Sequence, residues 1–234
     1  MIDAFQDEFG IEVRHAWGMI EMSPLGTIAT LKPKHQILPP DECAHLQAKQ
    51  GRPVFAIEIK IVDENGRDLP HDGCSIGEIK VRGPWICRRY YQSKDADSLD
   101  SEGWFATGDV GSIDADGYLR ITDRQKDLIK CAGEWVSSVE IESLATEHPA
   151  VMQAAAIGIP DEKWGERPVL IVVPQPESNV SESEVLALYN ARVAKWCVPE
   201  QVIFVDSLPV GATGKVQKNM LRERYACPRA ARRM

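Results

Sequence analysis

Four clusters in this chain hold the residue types that chemistry needs. The first is Trp17-Gly18-Met19-Ile20-Glu21-Met22-Ser23-Pro24, just after a segment, Ile11–His15, that reads as a short strand. A carboxylate in a glycine-containing loop at a strand end can hold Mg²⁺, and Trp17 offers a flat face to a ring. An ordinary exposed loop would carry Glu21 equally well. The second is Gly103-Trp104-Phe105-Ala106-Thr107-Gly108-Asp109-Val110-Gly111. Its glycines let backbone approach a ligand, and Asp109 has two acceptor oxygens for a pair of sugar hydroxyls. The same aspartate can cap a tight β-turn. The third runs from Asp123 to Trp135 with alternating charges and a turn at Ala132-Gly133. It suits a hinge that exchanges ion pairs between two domain orientations, or a solvated hairpin. The fourth is Leu208-Pro209-Val210-Gly211-Ala212-Thr213-Gly214-Lys215-Val216-Gln217-Lys218. Lys215 sits in a loop ahead of a predicted helix, where a mobile ammonium can stabilise charge building on a carboxylate or phosphate; a plain surface turn is the alternative. It is not a Walker loop, because Pro209 stands where that pattern needs its first glycine and Val216 follows the lysine.

The elements that must position these clusters follow from periodicity. Residues 2–9 place Ile2, Phe5 and Phe9 on one helical face, and Gly10 stops the helix. Residues 16–40 show no period and are expected to form a long functional loop. Strands are predicted over 54–62, 77–83, 110–113 and 118–122, with turns at Asp63-Glu64-Asn65-Gly66 and Asp114-Ala115-Asp116-Gly117. This half reads as a β-rich meander, a small barrel or a distorted sheet. Beyond Asp123 the pattern changes to α+β. Leu128–Lys130 and Trp135–Val136 flank a turn, and Ser137 or Ser138 caps a helix to about His148. Strands are predicted at 151–157, 169–173 and 201–205. Ser181-Glu182-Ser183-Glu184 forms a capping box opening a helix to about Trp196, and a last helix covers 216–225. The expected division is 1–123 and 124–234.

Composition narrows the class. The chain has 234 residues, 44% of them hydrophobic and 26% charged, which is ordinary for a globular protein. It has no apolar run long enough to cross a membrane, and its acidic start is unlike a signal peptide, so a cytoplasmic location is the expectation. The net charge is −8 although residues 222–234 hold five arginines, so the remainder is more acidic still and no nucleic-acid footprint is expected. The basic tail reads as a solvated terminus. The six cysteines lack C-x-x-C spacing and read as free thiols; Cys43/His45 and His71/Cys74 do not make a zinc set.

In their order and spacing, the phrases W-G-M-x-E-M-S-P-L-G-T, G-W-F-x-T-G-D, D-R-x-K-D-x-I-K-x-x-G-E-W-x-S-S-x-E-I-E and T-G-K-x-x-K resemble the adenylate-forming family of acyl-CoA synthetases, luciferases and peptide-synthetase adenylation domains. They look most like fatty-acid or related carboxylic-acid CoA ligases, and the resemblance covers residues 1–225. It implies an α/β and α+β fold. Residues 1–123 would be the β-rich, barrel-like end of the large AMP-binding domain, and 124–234 the small mobile C-terminal domain. It also implies ATP/AMP, Mg²⁺ and CoA as cofactors and a carboxylic acid as substrate. By motif, Glu21 would hold Mg²⁺, Asp109 the ribose hydroxyls, Trp17 with Gly18 the adenine region, and Arg124 would approach the nucleotide. Lys126 would be the hinge and Lys215 the adenylation lysine. Lys130, Gly133 and Glu134 would belong to the face presented during thioester formation, with Gly133 near the pantetheine tunnel.

The sequence departs from the family in three ways. The serine-, threonine- and glycine-rich phosphate loop is not in it. Ile20 replaces a threonine, and Ala132 stands where relatives commonly show glycine. The chain alone is therefore expected to be inactive. It reads as part of a truncated or split synthetase that needs a missing N-terminal half, as a non-catalytic remnant or binding module, or as a regulatory partner of an intact synthetase.

Overall fold

The computed structural model describes residues 2–92, 98–211 and 214–225. The chain divides into two compact units, Met1–Gln125 and Lys126–Met234. Among the described residues no helix is long and apolar enough to cross a membrane.

The first unit begins with α1 (Ile2–Phe9), which ends at Gly10 with a positive φ of 65°. A three-stranded antiparallel sheet follows, built from β1 (Ala16–Gly18), β2 (Leu25–Ile28) and β3 (Arg52–Pro53). Helix α2 (Pro40–Ala48) lies between β2 and β3, opening on proline and then Asp41 and Glu42, as a helix N-terminus favours. The second sheet is an antiparallel meander of β4 (Glu58–Val62), β5 (Gly77–Arg82), β6 (Phe105–Ile113) and β7 (Leu119–Arg124), in that order. β5 alternates strictly, turning Ile79 and Val81 into a core shared with Met22, Ile61, Phe105, Ile113 and Leu119.

The second unit opens with a hairpin of β8 (Ile129–Cys131) and β9 (Glu134–Val136), followed by α3 (Ser138–Thr146). Ser137 caps α3 by accepting a hydrogen bond from the Glu140 amide. β10 (Val151–Asp161) and β11 (Gly165–Pro174) pair along their length, and β12 (Gln201–Phe204) joins β11 in parallel. Helix α4 (Glu182–Ala187) precedes β12, and α5 (Lys218–Tyr225) ends the described chain. The apolar run Val169–Val173 is buried on both faces. Leu170 and Val172 join a cluster with α3 and α4 residues, while Val169, Ile171 and Val173 join one with Leu221 of α5. Tyr189, fully buried, donates its hydroxyl to the Ile141 carbonyl at 2.7 Å, and that burial pushes its phenol well above the ordinary range.

Several sequence expectations are corrected. The strand predicted at 11–15 forms instead at Ala16–Gly18, because that is where β2 supplies a hydrogen-bonding partner. Residues 16–40 are not one loop; β1, β2 and two 3-10 turns, Ile20–Met22 and Pro33–His35, lie within them. The predicted strand 54–62 loses its first four residues to a turn in which Ala56 has φ 64°. The helix opening at Ser181 has its capping box but stops at Ala187; Ala191 turns left-handed at φ 59°, and the chain returns as β12 beside β11. The compact units divide between Gln125 and Lys126, just after Arg124, which is paired in β7.

Ala132 and Gly133 form the two-residue turn of the β8–β9 hairpin, both with positive φ, 57° and 84°, as a type I′ turn requires. A left-handed alanine is strained by about 1–2 kcal/mol, and glycine's greater unfolded-state freedom offsets part of any gain from replacing it. Ala132→Gly is expected to stabilise the second unit by about 0.5–1 kcal/mol, read as a rise in its denaturation midpoint.

Candidate functional site

Asp109 is a buried carboxylate of the first unit. It lies in β6 opposite Arg124 of β7, next to a register shift between Val110 and Gly111. Thr107 shapes the approach: its hydroxyl donates to the Ile79 carbonyl at 2.8 Å and accepts from the Asp109 amide at 3.1 Å. The Gln125 amide donates to the Gly108 carbonyl at 2.9 Å. Asp109 is 9% exposed. Its Oδ2 accepts the Trp17 indole N–H at 2.8 Å, and Arg124 Nε stands 3.8 Å from Oδ1. Three residues that the sequence placed in separate motifs thus meet at one carboxylate. Trp17 meets Asp109 by its polar edge, an orienting role that its identity as an aromatic did not reveal.

Trp17, Gly18 and Glu21 share the β1–β2 connection. Gly18 is needed there by close approach: a Cβ would stand 1.9 Å from the Pro24 carbonyl oxygen. Glu21 lies in the 3-10 turn Ile20–Met22, which Met22 anchors in the core. Three bonds tie this turn to residues 85–90. The Cys87 amide donates to the Glu21 carbonyl at 2.7 Å, Ser23 Oγ to the Trp85 carbonyl at 3.3 Å, and Tyr90 Oη to Glu21 Oε1 at 2.8 Å. The bond to Glu21, with partial burial and the carboxylate charge, holds the Tyr90 phenol above its ordinary value. Tyr90 was not foreseen; in sequence it is one of two adjacent tyrosines with no periodic signal. Among the described residues no group of three or more His, Cys, Asp or Glu is placed to hold a metal ion. A lone carboxylate such as Glu21 nevertheless suits Mg²⁺, which keeps waters and substrate phosphate oxygens as its other ligands. Ile20 beside it is 91% exposed.

In the second unit, Lys126 lies in the turn that opens the unit, with its side chain exposed. The next residue, Asp127, is buried and anchored by Arg222 of α5 at 2.8 Å. Lys130, Gly133 and Glu134 sit on the β8–β9 hairpin. The Lys130 amide donates to Glu166 at 2.8 Å, and its ammonium lies 4.9 Å from the centre of the Trp135 ring. The Ala132 amide donates to the Trp164 carbonyl at 2.9 Å, fixing the hairpin tip to the β10–β11 turn. The two lysines of T-G-K-x-x-K differ sharply. Lys218, with 11% of its side chain exposed, is held by Glu142 and the Ser138 hydroxyl, each at 2.6 Å. Lys215 has an exposed side chain, on a loop closed by a Val210–Val216 bridge and by the Gly211 amide donating to the Lys215 carbonyl at 2.8 Å. Residues 212–213 of that motif lie outside the described residues.

Residues 1–91 match the family described as AMP-binding enzyme, and residues 140–215 match the AMP-binding enzyme C-terminal domain, in the order this chain presents them. The chain belongs to the AMP-binding enzymes. It is 51% identical over 225 residues to a 3-methylmercaptopropionyl-CoA ligase of Ruegeria lacuscaerulensis, covering 96% of this chain and 42% of the relative. It is 48% identical to a medium-chain-fatty-acid–CoA ligase of Ectopseudomonas oleovorans, covering 96% and 41%. Among solved structures it resembles ATP-bound MatB from Rhodopseudomonas palustris, with TM-score 0.81, 32% identity, and 97% of this chain covering 43% of that one. It also resembles the Bacillus subtilis o-succinylbenzoate CoA synthetase in complex with its acyl-adenylate intermediate, with TM-score 0.79, 32% identity, and 93% and 42% covered. This AMP-binding enzyme chain therefore spans about two-fifths of the length of the relatives it matches.

Removing the indole donor isolates the Asp109 contact. Trp17→Phe is expected to destabilise the first unit by about 1–3 kcal/mol, as loss of a bond to a charged group does. In an Asp109→Asn background the same change should cost clearly less, read by urea unfolding of the single and double variants.

Proposed function

We propose that this chain supplies the carboxyl-terminal part of an AMP-forming acyl-CoA synthetase, and that the Trp17–Asp109–Arg124 assembly is its ribose platform. The observation that carries the reading is the Asp109 carboxylate, buried, backed by an indole and approached by a guanidinium. An ionised carboxylate oriented by one neighbour can accept from two sugar hydroxyls without moving. Glu21, steadied by Tyr90, would hold Mg²⁺. When bound, that ion offsets charge on the phosphates.

In the proposed reaction a substrate carboxylate oxygen attacks the α-phosphorus of ATP. The bond to the pyrophosphate oxygen breaks, leaving an acyl-adenylate and pyrophosphate. Negative charge gathers where the two anions meet, and Lys215 is the group assigned to neutralise it. Its exposed side chain on a short loop supports that role, whereas Lys218 is fixed by Glu142 and Ser138. In the second step a CoA thiol attacks the adenylate carbonyl and AMP leaves. Lys130, Gly133 and Glu134, on the hairpin tip fixed to Trp164, are assigned to that step. Lys126 is assigned the pivot between steps, Gly18 the close approach beside the adenine region, and residues 126–234 the mobile domain. The substrate is a fatty or thioether-bearing carboxylic acid, in keeping with the names of the relatives. An N-terminal half carrying the phosphate loop, or an intact synthetase, is the proposed partner.

A second reading, a non-catalytic remnant or regulatory module, is favoured by Ile20. Its exposed side chain has no hydroxyl for the α-phosphate. A lost bond to a charged group costs about 1.5–3 kcal/mol, roughly 10–150-fold in rate.

The test is ATP–pyrophosphate exchange with a panel of acids. The purified chain alone is expected to give none. Joined to the N-terminal portion of the Ruegeria ligase it matches, it is expected to restore exchange. Failure of that chimera, correctly folded, would favour the remnant. In the active chimera, Lys215→Ala should lower adenylation about 10²–10³-fold while sparing thioester formation from supplied acyl-adenylate. Ile20→Thr should raise adenylation about tenfold or more.

A further inference from the structure

Away from the site, the segment Thr30–His35 is fastened to the β6–β7 turn by groups whose protons can be counted. Tyr118, fully buried, has its hydroxyl oxygen 2.8 Å from the Thr30 carbonyl, 3.2 Å from the Lys32 amide and 3.1 Å from His35 Nδ1. A phenol has one proton, and a carbonyl only accepts, so that proton goes to Thr30. The hydroxyl oxygen then accepts from Lys32 N–H, and Nδ1 must donate as well. On the ring's other side, Nε2 lies 3.0 Å from Asp116 Oδ2, an acceptor-only carboxylate. With the Tyr118 proton on Thr30, both ring nitrogens of His35 face acceptors, and the ring is 5% exposed. A buried cation persists only with a partner, and Asp116 is that partner.

We propose that His35 is a proton-operated latch, closed when its ring is the imidazolium and released when the ring loses a proton. Loss of either proton sets a nitrogen lone pair against the Tyr118 oxygen or against the Asp116 carboxylate. The latch holds at low pH and weakens as pH rises through the titration of the ring. Asp116 does not titrate in that window, because Lys34, then Lys32, hold its carboxyl far below the usual carboxylate range.

The surrounding charges are these. Lys32 and Lys34 meet Asp116 at 3.1 and 2.6 Å, and Lys49 meets Asp114 at 2.6 Å. Arg52 and Lys49 lie 5.6 and 6.0 Å from the Tyr118 ring centre. From α2, Cys43 Sγ donates to the His35 carbonyl at 3.2 Å. Asp41, Glu42 and His45 of α2, with Arg120 of β7, border a cavity of about 1010 Å³ that His35 and Asp116 also line. The latch thus fixes one wall of that cavity and the chain leading from β2 into α2.

The test is nitrogen-15 NMR of the full chain labelled at histidine, with the His35 signals assigned by their loss in His35→Gln. Both ring nitrogens are expected to be protonated at pH 6, and the Lys32 amide should shift with the same midpoint as the His35 ring. In Asp116→Asn that midpoint should fall by about one pH unit or more. A neutral His35 ring at pH 6, or a Lys32 amide that ignores the ring's titration, would overturn the proposal. If Asp116→Asn does not fold, the titration of the unsubstituted chain decides by itself.

Discussion

A carboxylate that folding takes out of water must be met by donors, and Asp109 of the first unit is under that constraint. β6 and β7 set it opposite Arg124, and Thr107 and Gly108 bend the strand that carries it. The remaining donor is Trp17, ninety-two positions away in sequence. Satisfying Asp109 therefore fixes the start of the β1–β2 connection, and Met22 fixes its middle by entering the meander core. Glu21 lies between these anchors, which is why its carboxylate has a defined place and a defined partner in Tyr90. The placement of this connection is a consequence of the buried Asp109 carboxylate and the buried Met22 thioether.

The second unit solves a different problem. Its sheet is apolar on both sides, so helices must cover both, and α5 covers the side that carries Val169, Ile171 and Val173. Docking by Leu221 alone would leave the helix free to slide along the sheet. Lys218 and Arg222, one turn apart, bond to Glu142 and Asp127 and fix its register. Buried ion pairs add little net stability but penalise wrong arrangements strongly, because a misplaced partner leaves a charge unmet. With α5 fixed, the loop before it presents Lys215 outward. One lysine holds the helix so that the other can remain exposed.

Much of this was legible without coordinates. Strict alternation in Gly77–Arg82, the continuous apolar run at Val169–Val173 and the capping box at Ser181 each gave an element close to where it forms. Those signals are local, and burial reinforces them. The strand at Ala16–Gly18 and the end of the helix after Ser181 were not legible. A three-residue strand exists only because β2 lies beside it, and α4 stops where the chain turns back to β12. Neither partner is visible in the segment itself.

The sequence by itself determined the family and the order of its motifs, because residue types and spacings in such motifs are set by the chemistry they serve. Only the tertiary structure decided that Trp17 serves Asp109 by its edge, that Tyr90 steadies Glu21, that Lys218 is structural where Lys215 is exposed, and that His35 bridges Tyr118 and Asp116. Each of those is a fact about which donor faces which acceptor across tens of residues. Such pairings are fixed by the demand that buried polar groups be satisfied, a condition that acts in three dimensions and leaves no trace in local sequence.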